Sequence, residues 1–293
     1  MAYWDPNNLT EHLFMWLPIE DVNTNALSAT NQATTGPIQG LLGDQNQFRD
    51  NSPADAPDVE TFGPSVALLF EDGDDFFTND DNTASLGTNR YIQTFSKCDS
   101  QVGLLNTVLA LESTDCVIRY SSQNKAGNRT ITAKAGAFSS ANLGTVVGDS
   151  TNIIAIEVNE EASDDGLEEH RYFLNTQVAA TTEDNPAVTF DLESQIFLGS
   201  DAGFADSGND FAGSIGDVVV LDFLPSESQR KRLEGWVAHT YGTVGRTGIL
   251  PADHEYRNDR PIAQFISNKF SDGLSQMLQG DINDGLNTSL TFN

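Results

Sequence analysis

Between residues 60 and 224 the chain is built from apolar runs of four to eight residues, each closed by a cluster of Gly, Asn, Asp and Ser. Runs of that length suit strands, and the intervening residues tolerate the tight-turn conformations that join them. The pattern predicts strands over 65–70, 90–95, 107–111, 116–120, 130–135, 153–158, 171–174, 177–180, 195–198 and 216–222. Ten short strands with frequent turns point to an all-β fold, a two-sheet antiparallel sandwich or jelly roll.

The flanks read differently. His12 to Ile19 forms one more strand, and Tyr3, Trp4, Phe14 and Trp16 need a core in which to bury their area. Residues 20–60 hold few apolar side chains and read as a long, mostly irregular surface segment. After the last strand, Ser226 stands three residues before Gln229, the spacing of a capping box, and Leu233, Trp236, Val237 and Tyr241 recur at helical intervals up to Gly242. An amphipathic helix over 227–241 is therefore expected to close the sandwich. Gly242, Gly245 and Gly248 then lead into a second periodic segment, with Ile262, Phe265, Ile266, Phe270, Leu274, Met277 and Leu278 in one stripe. This divides the chain into a sandwich domain, 1–245, and a C-terminal arm, 246–293, whose stripe either docks on its own domain or joins copies into a homo-oligomer.

Charge narrows the function. Lys and Arg number 15 against 43 Asp and Glu, a formal net charge of −28. A nucleic-acid partner is excluded, because backbone binding needs a cationic footprint. No apolar run approaches the roughly 18–20 residues of a membrane-spanning helix, so no membrane insertion is expected. The N-terminus carries no basic and apolar leader pattern, and an extracellular role is expected to come through assembly or lysis. The acidic set is Asp-rich, with 28 Asp to 15 Glu, while the cations include 5 Lys. Such a balance resembles that of halophilic proteins, whose dense carboxylates stop repelling when molar salt shortens the Debye length to about 3 Å.

Cys98 and Cys116 lie in separate predicted strands with no His or Cys at metal-ligating spacing, leaving a disulfide or two buried thiols as the alternatives. No nucleophile elbow, phosphate loop or zinc-protease motif occurs, and His12, His170, His239 and His254 are scattered.

The stretch 196–242 resembles the closing portion of a laminin-G-like or concanavalin A-like jelly roll. Its elements are Leu198-Gly199, a polar loop 200–210, the Phe211-Ala212-Gly213 turn, an apolar strand carrying Asp217, and a helix after Pro225. The segment 67–77 resembles that family's early strand and acidic turn, and 172–178 its hairpin, with Thr176 where glycine is usual. The resemblance spans about 1–245 and bears on the fold more than on the function, since this sandwich hosts lectins, hydrolases, adhesion modules and virion decorations. It implies that any structural calcium would be collected by Asp72, Asp74 and Asp75 in one loop and by Asp201, Asp206, Asn209 and Asp210 in another. It also implies a sugar platform at Phe204, Phe76 and Phe77. The Glu-x-Asp-x-Glu and Glu-x-Asp-x-x-Glu strands of the family's glucanases are absent, so catalysis is not expected.

The layout of jelly roll, closing helix and tail is similar to surface and appendage proteins of tailed viruses. With the halophilic composition, it implies a non-enzymatic virion surface protein, a capsid decoration, turret or tail appendage, with other virion proteins and host glycans as partners. A carbohydrate-binding receptor module is the alternative, and an unconventional glycoside hydrolase the third reading.

Lowering salt from about 1 M to about 0.1 M lengthens screening from about 3 Å to about 10 Å. The expected outcome is a lower melting temperature in dilute salt; a melting temperature unchanged across that range argues against the halophilic reading.

Overall fold

The computed structural model describes residues 5, 6, 9, 13–17, 28–30, 47–49, 57–70, 77–79, 89–99, 105–111, 116–121, 127–135, 140–159, 168–184, 196–200, 211–243 and 248–262. Sixteen strands precede one helix: β1 Leu13–Leu17, β2 Ser28–Thr30, β3 Gln47–Arg49, β4 Asp58–Phe62, β5 Ser65–Phe70, β6 Phe77–Asn79, β7 Arg90–Cys98 and β8 Leu105–Leu111. Then follow β9 Cys116–Ser121, β10 Asn128–Ala135, β11 Ala141–Val147, β12 Thr151–Asn159, β13 Glu168–Leu174, β14 Gln177–Asp184, β15 Ile196–Leu198, β16 Gly213–Leu221 and α1 Glu227–Thr240. All ten strands expected between 65 and 222 are present, within a few residues of their expected ends.

The strands form two antiparallel sheets, ordered β14-β13-β12-β7-β16-β5-β4 with β1 also on β16, and β11-β10-β9-β8-β15-β6-β3-β2. Alternation along each strand sorts side chains between faces. Leu68, Phe70, Ile92, Ile154, Ile156, Val218 and Val220 of the first sheet meet Leu109, Ile118, Tyr120, Ile131 and Ala133 of the second in the main core. The intervening residues of the first sheet, Ala67, Tyr91, Phe95, Ile153, Ala155, Phe173 and Val219, face the other way and pack under α1. The first sheet is thus covered on both faces, which is why all nine residues of β16 are buried.

The helix has the cap that its sequence predicts. Ser226 Oγ accepts from Gln229 N–H, Gln229 Oε1 accepts from Ser226 N–H, and Gly242 follows with φ 65°. Leu233, Trp236, Val237 and Ala238 turn inward, and Tyr241 stacks flat on Phe95 with centroids 4.2 Å apart. The Tyr241 hydroxyl accepts from the Asp217 N–H at 2.7 Å and donates to the Asp217 carboxylate, which also accepts from Trp16 Nε1 at 3.2 Å. Gly216 makes this approach available: a Cβ there would stand 2.5 Å from Tyr241 Cζ and 2.8 Å from Phe95.

A charged cluster completes the layer. Arg230 pairs with Glu234, whose other oxygen accepts from His254 Nε2 at 3.1 Å, while His254 Nδ1 accepts from Tyr256 N–H at 3.2 Å. With Nδ1 an acceptor, the proton sits on Nε2. Residues 248–262, the start of the expected arm, are thereby fixed to α1, with Leu250 buried and Tyr256 against Gly235, where a Cβ would meet it at 2.4 Å. The Arg230 guanidinium lies 4.5 Å over Phe173. Beside it Glu157 pairs with Arg171.

Within 20–60, read as mostly irregular, the described residues include the short strands β2 and β3 and the start of β4, edges or additions to the sheets whose polar sequences hide them. β11 escaped notice because Gly144 and a register shift interrupt its alternation. Cys98 and Cys116 are free and buried. Cys98 ends β7 in the first sheet, while Cys116 opens β9 in the second, at the end of β9 away from Ser121. The length of β9, about 17 Å at 3.4 Å per residue, lies between the two ends and exceeds any disulfide span.

Two outcomes follow from this packing. Gly216→Ala should cost about 1–3 kcal/mol by overpacking Tyr241 and Phe95, read as a lowered denaturant midpoint; wild-type stability would refute the contact. Burial holds the Glu157 carboxyl above the ordinary value of 4.5, outweighing the Arg171 guanidinium that pulls it down. The folded state therefore binds the extra proton, and this residue's contribution weakens as pH rises from about 4.5 through the raised folded value. Glu157→Gln should flatten the stability profile over that window in urea titrations, and an unchanged slope would count against it.

Candidate ligand-binding rim

Strand direction decides which connections meet. β5 ends at Phe70, paired with Gly213 at the start of β16, and β6 begins at Phe77, paired with Leu198 at the end of β15. The strand ends that bound 71–76 and 199–212 therefore lie at one end of the sandwich, on neighbouring strands of each sheet. β7 ends at Cys98 opposite Gly213, β12 opens at Thr151 opposite Lys97, β9 ends at Ser121 and β11 ends at Val147 opposite Asn128. Asp99, Ser121 and residues 148–150 lie at the same rim.

Hydrogen bonds tie the anchors together. Asp99 N–H donates to Ala212 O at 2.9 Å, Phe211 N–H to Gly199 O at 2.6 Å, and Asp149 N–H to Cys98 O at 3.2 Å. Arg129 is buried on β10, yet its guanidinium donates to Ser121 O at 2.9 Å and to Asp99 O at 2.5 Å, joining the two sheets at the rim. Beneath it lies a polar floor. Tyr120 OH meets Ser96 Oγ at 3.1 Å and accepts from Asn152 Nδ2 at 3.2 Å, and Asn152 Oδ1 accepts from Asn175 Nδ2 at 3.0 Å. Asn106 Oδ1 accepts from Cys98 Sγ at 3.6 Å and from Ala212 N–H at 3.4 Å.

Burial dominates the titration of this floor. Burial pushes the Cys98 thiol up to about 12, against the pull of Arg129, so it stays protonated near neutrality. Burial also raises the Tyr120 phenol, opposed by its hydrogen bonds from Ser96 and Asn152. The hairpin turn at the edge of the rim places both Asn175, φ 48°, and Thr176, φ 74°, in left-handed conformations. The tight turn is therefore kept despite the β-branched residue, a strained choice at this position. Asn175 is held there by accepting Ile153 N–H at 2.9 Å, and Thr176 O accepts from Arg230 at 3.4 Å.

Of the residues singled out from sequence, Asp72, Asp74, Asp75 and Phe76, and Asp201, Phe204, Asp206, Asn209 and Asp210, lie outside the described residues. What is described is that the strand ends bounding these two segments neighbour one another at one rim. Phe77 opens β6 in register with Leu198. Ile262 is 49% exposed at the end of the packed segment, while Phe265, Ile266, Phe270, Leu274, Met277 and Leu278 lie outside the described residues. No group of three or more His, Cys, Asp or Glu side chains that could hold a metal occurs among the described residues. At the opposite end of the sandwich, a shallow depression of about 450 Å³ is lined by Thr61, Gly63, Pro64, Ser65 and Val66, without an aromatic or charged side chain.

Sequence reasoning passed over Arg129, Asn152, Asn106 and Asn175. Their signal was available in part: Arg129 and Asn152 are polar at positions that alternation assigns to the interior. Their partners come from other strands and have no sequence signature.

No protein-family model matches the sequence, and neither does any curated protein. Solved structures do resemble it. Domain 4 of AbnA, an extracellular arabinanase of family GH43 from Geobacillus stearothermophilus, in complex with arabinotriose, superposes with TM-score 0.53 at 12% identity over 76% of this chain and 98% of that one. The receptor binding domain of botulinum neurotoxin D gives TM-score 0.51 at 12% identity, over 78% of this chain and 52% of that one. The serotype D ligand binding domain in complex with N-acetylneuraminic acid also gives TM-score 0.51 at 12% identity, over 78% of this chain and 51% of that one. The chain thus spans nearly all of the arabinanase domain and about half of the neurotoxin domains. At these identities the likeness concerns the fold: this chain is an all-β, two-sheet antiparallel sandwich of jelly-roll type with one closing helix.

Proposed function

We propose that the chain is a non-catalytic carbohydrate-binding protein whose sugar site is formed by 71–76 and 201–210 at the rim. The observation that carries this reading is that the strand ends bounding those two segments are direct neighbours, Phe70 opposite Gly213 and Phe77 opposite Leu198, while the sequence of the segments holds Phe76, Phe204 and seven Asp or Asn candidates. Aromatic faces with a few amide and carboxylate partners are what a saccharide needs. Two neighbours of the same fold supply the analogy, one solved with arabinotriose and one with N-acetylneuraminic acid. Calcium held by the Asp residues of the two segments would order the loops and take part in sugar contact without redox or acid-base chemistry.

A particle-surface role is the second reading. Ile262, exposed where the packed segment ends, begins the apolar stripe that would join copies into a homo-oligomer or dock them on capsid or tail proteins. The two readings are compatible, since a virion decoration released by lysis can also meet host glycans. Counting this chain in purified particles from a halophilic host, against the major capsid protein, tests the second: tens to hundreds of copies favour a decoration, and absence removes it.

For the first reading, calorimetric titration with arabinotriose and with sialyllactose should show binding without product release. Phe204→Ala should weaken it about tenfold, a loss of about 1.4 kcal/mol, and chelation should weaken it if the loops hold calcium. Absence of binding to either sugar removes the assigned ligands, whereas turnover abolished by substituting one carboxylate would make the chain a hydrolase.

A further inference from the structure

Residues 248–262 lie beyond α1 and belong to none of the sixteen strands, so their place depends on what they grip. Their holds fall on α1 and the residues that end it. Ile249 N–H donates to Thr243 O at 2.9 Å, and Arg260 Nη2 donates to Thr240 Oγ1 at 3.4 Å. Tyr256 is held at three atoms. Arg232 Nε donates to its hydroxyl at 3.1 Å, His239 Nε2 to its carbonyl oxygen at 2.8 Å, and its own N–H donates to His254 Nδ1 at 3.2 Å. Its ring covers Gly235 of α1.

Two histidines thus clasp one peptide, and a proton affects them differently. A carbonyl only accepts, so His239 meets Tyr256 O through an N–H, which the neutral and the charged ring both supply. His254 Nδ1 accepts, and it can do so only while its ring is neutral. Charge acts in the same direction. His254 is buried, and its Nε2 faces Glu234, which is buried too and already paired with Arg230. That pair sums to zero, so a proton on His254 leaves an uncompensated positive charge in the layer, a costly arrangement away from water. Arg232 and Arg257, the latter donating to Leu250 O, add to it. From the sheet beneath, the Tyr91 phenol stays protonated because burial raises it well above its ordinary value, and Glu157 is taken by Arg171. Asp253 and Glu255 flank His254 in the chain but are exposed to solvent.

We infer that 248–262 is a pH-sensitive strap, held on α1 while the His254 ring is neutral and loosened when that ring takes a proton. The strapped state leaves the proton off, and the freed state, with His254 in water, takes it up. The hold therefore strengthens as pH rises and weakens as pH falls. Leu250 is buried and Ile249 half-buried in the layer that holds Trp236 and Val237. Release turns both out to water, so the acidic form presents apolar side chains that the neutral form hides. None of these residues belongs to the sugar site proposed above, and the two readings stand or fall separately.

The test is hydrogen–deuterium exchange of the full chain between about pH 8 and about pH 5.5, corrected for the intrinsic pH dependence of exchange. Protection over 248–262 should fall about tenfold across that span, while β16 keeps its protection and reports that the sandwich is folded. His254→Gln retains a donor and an acceptor but takes no proton, so its strap should stay protected throughout. His239→Gln should keep the wild-type pH dependence. In the wild type, ¹⁵N shifts of the His254 ring should show the Nε2–H tautomer at about pH 8 and protonation in step with the loss of protection. Protection that does not change with pH overturns the inference. A loss that persists in His254→Gln, or disappears in His239→Gln, overturns it in favour of another titrating group. Should the strap of His254→Gln be open at every pH, the wild-type ring decides: protonation in step with opening supports the inference, and opening without it sinks it.

Discussion

The Tyr241 ring lying over Gly216 is the contact on which the rest of the architecture turns. Its flat stack on Phe95 and its two hydrogen bonds to Asp217 join the end of α1 to the middle of β16, the strand that β7, β5 and β1 all flank. A sheet covered on one face could have carried polar residues on the other. Here α1 and residues 248–262 cover that second face, and a carboxylate in the middle of an apolar strand is satisfied by Tyr241 and Trp16 instead of water. Burying Leu233, Trp236 and Val237 contributes about 1.5–3 kcal/mol each, so the outer layer is a second core and not a decoration.

Rigidity on that side leaves variation to the rim. The described strand ends there are tied by Arg129 bridging the sheets, Asn106 holding Ala212, and the Asn152–Asn175–Tyr120 chain beneath. Loops rooted on bonded strand ends can carry recognition while the scaffold stays fixed. The buried thiol and phenol of the floor stay protonated near neutrality.

Charge is also unevenly spread: the strands of the first sheet carry Asp58, Glu60, Glu157, Glu168, Glu169, Glu183, Asp184 and Asp217, whereas the strands β8–β11 of the second carry no acid.

The all-β class, ten strands, the capped helix and its stop were legible in the sequence because each rests on local chemistry: alternation, turn residues, the Ser226–Gln229 cap and Gly242. Weak edge strands such as β4 and β11 were not, since pairing on one side alone places little demand on their composition. Nor could sequence spacing bring Phe70 to Gly213 or separate Cys98 from Cys116. Those neighbours lie up to 143 positions apart and depend on strand order and register, which are settled when two sheets bury their faces together. Local chemistry determined the elements, and only the burial of the whole decided which residues share a site.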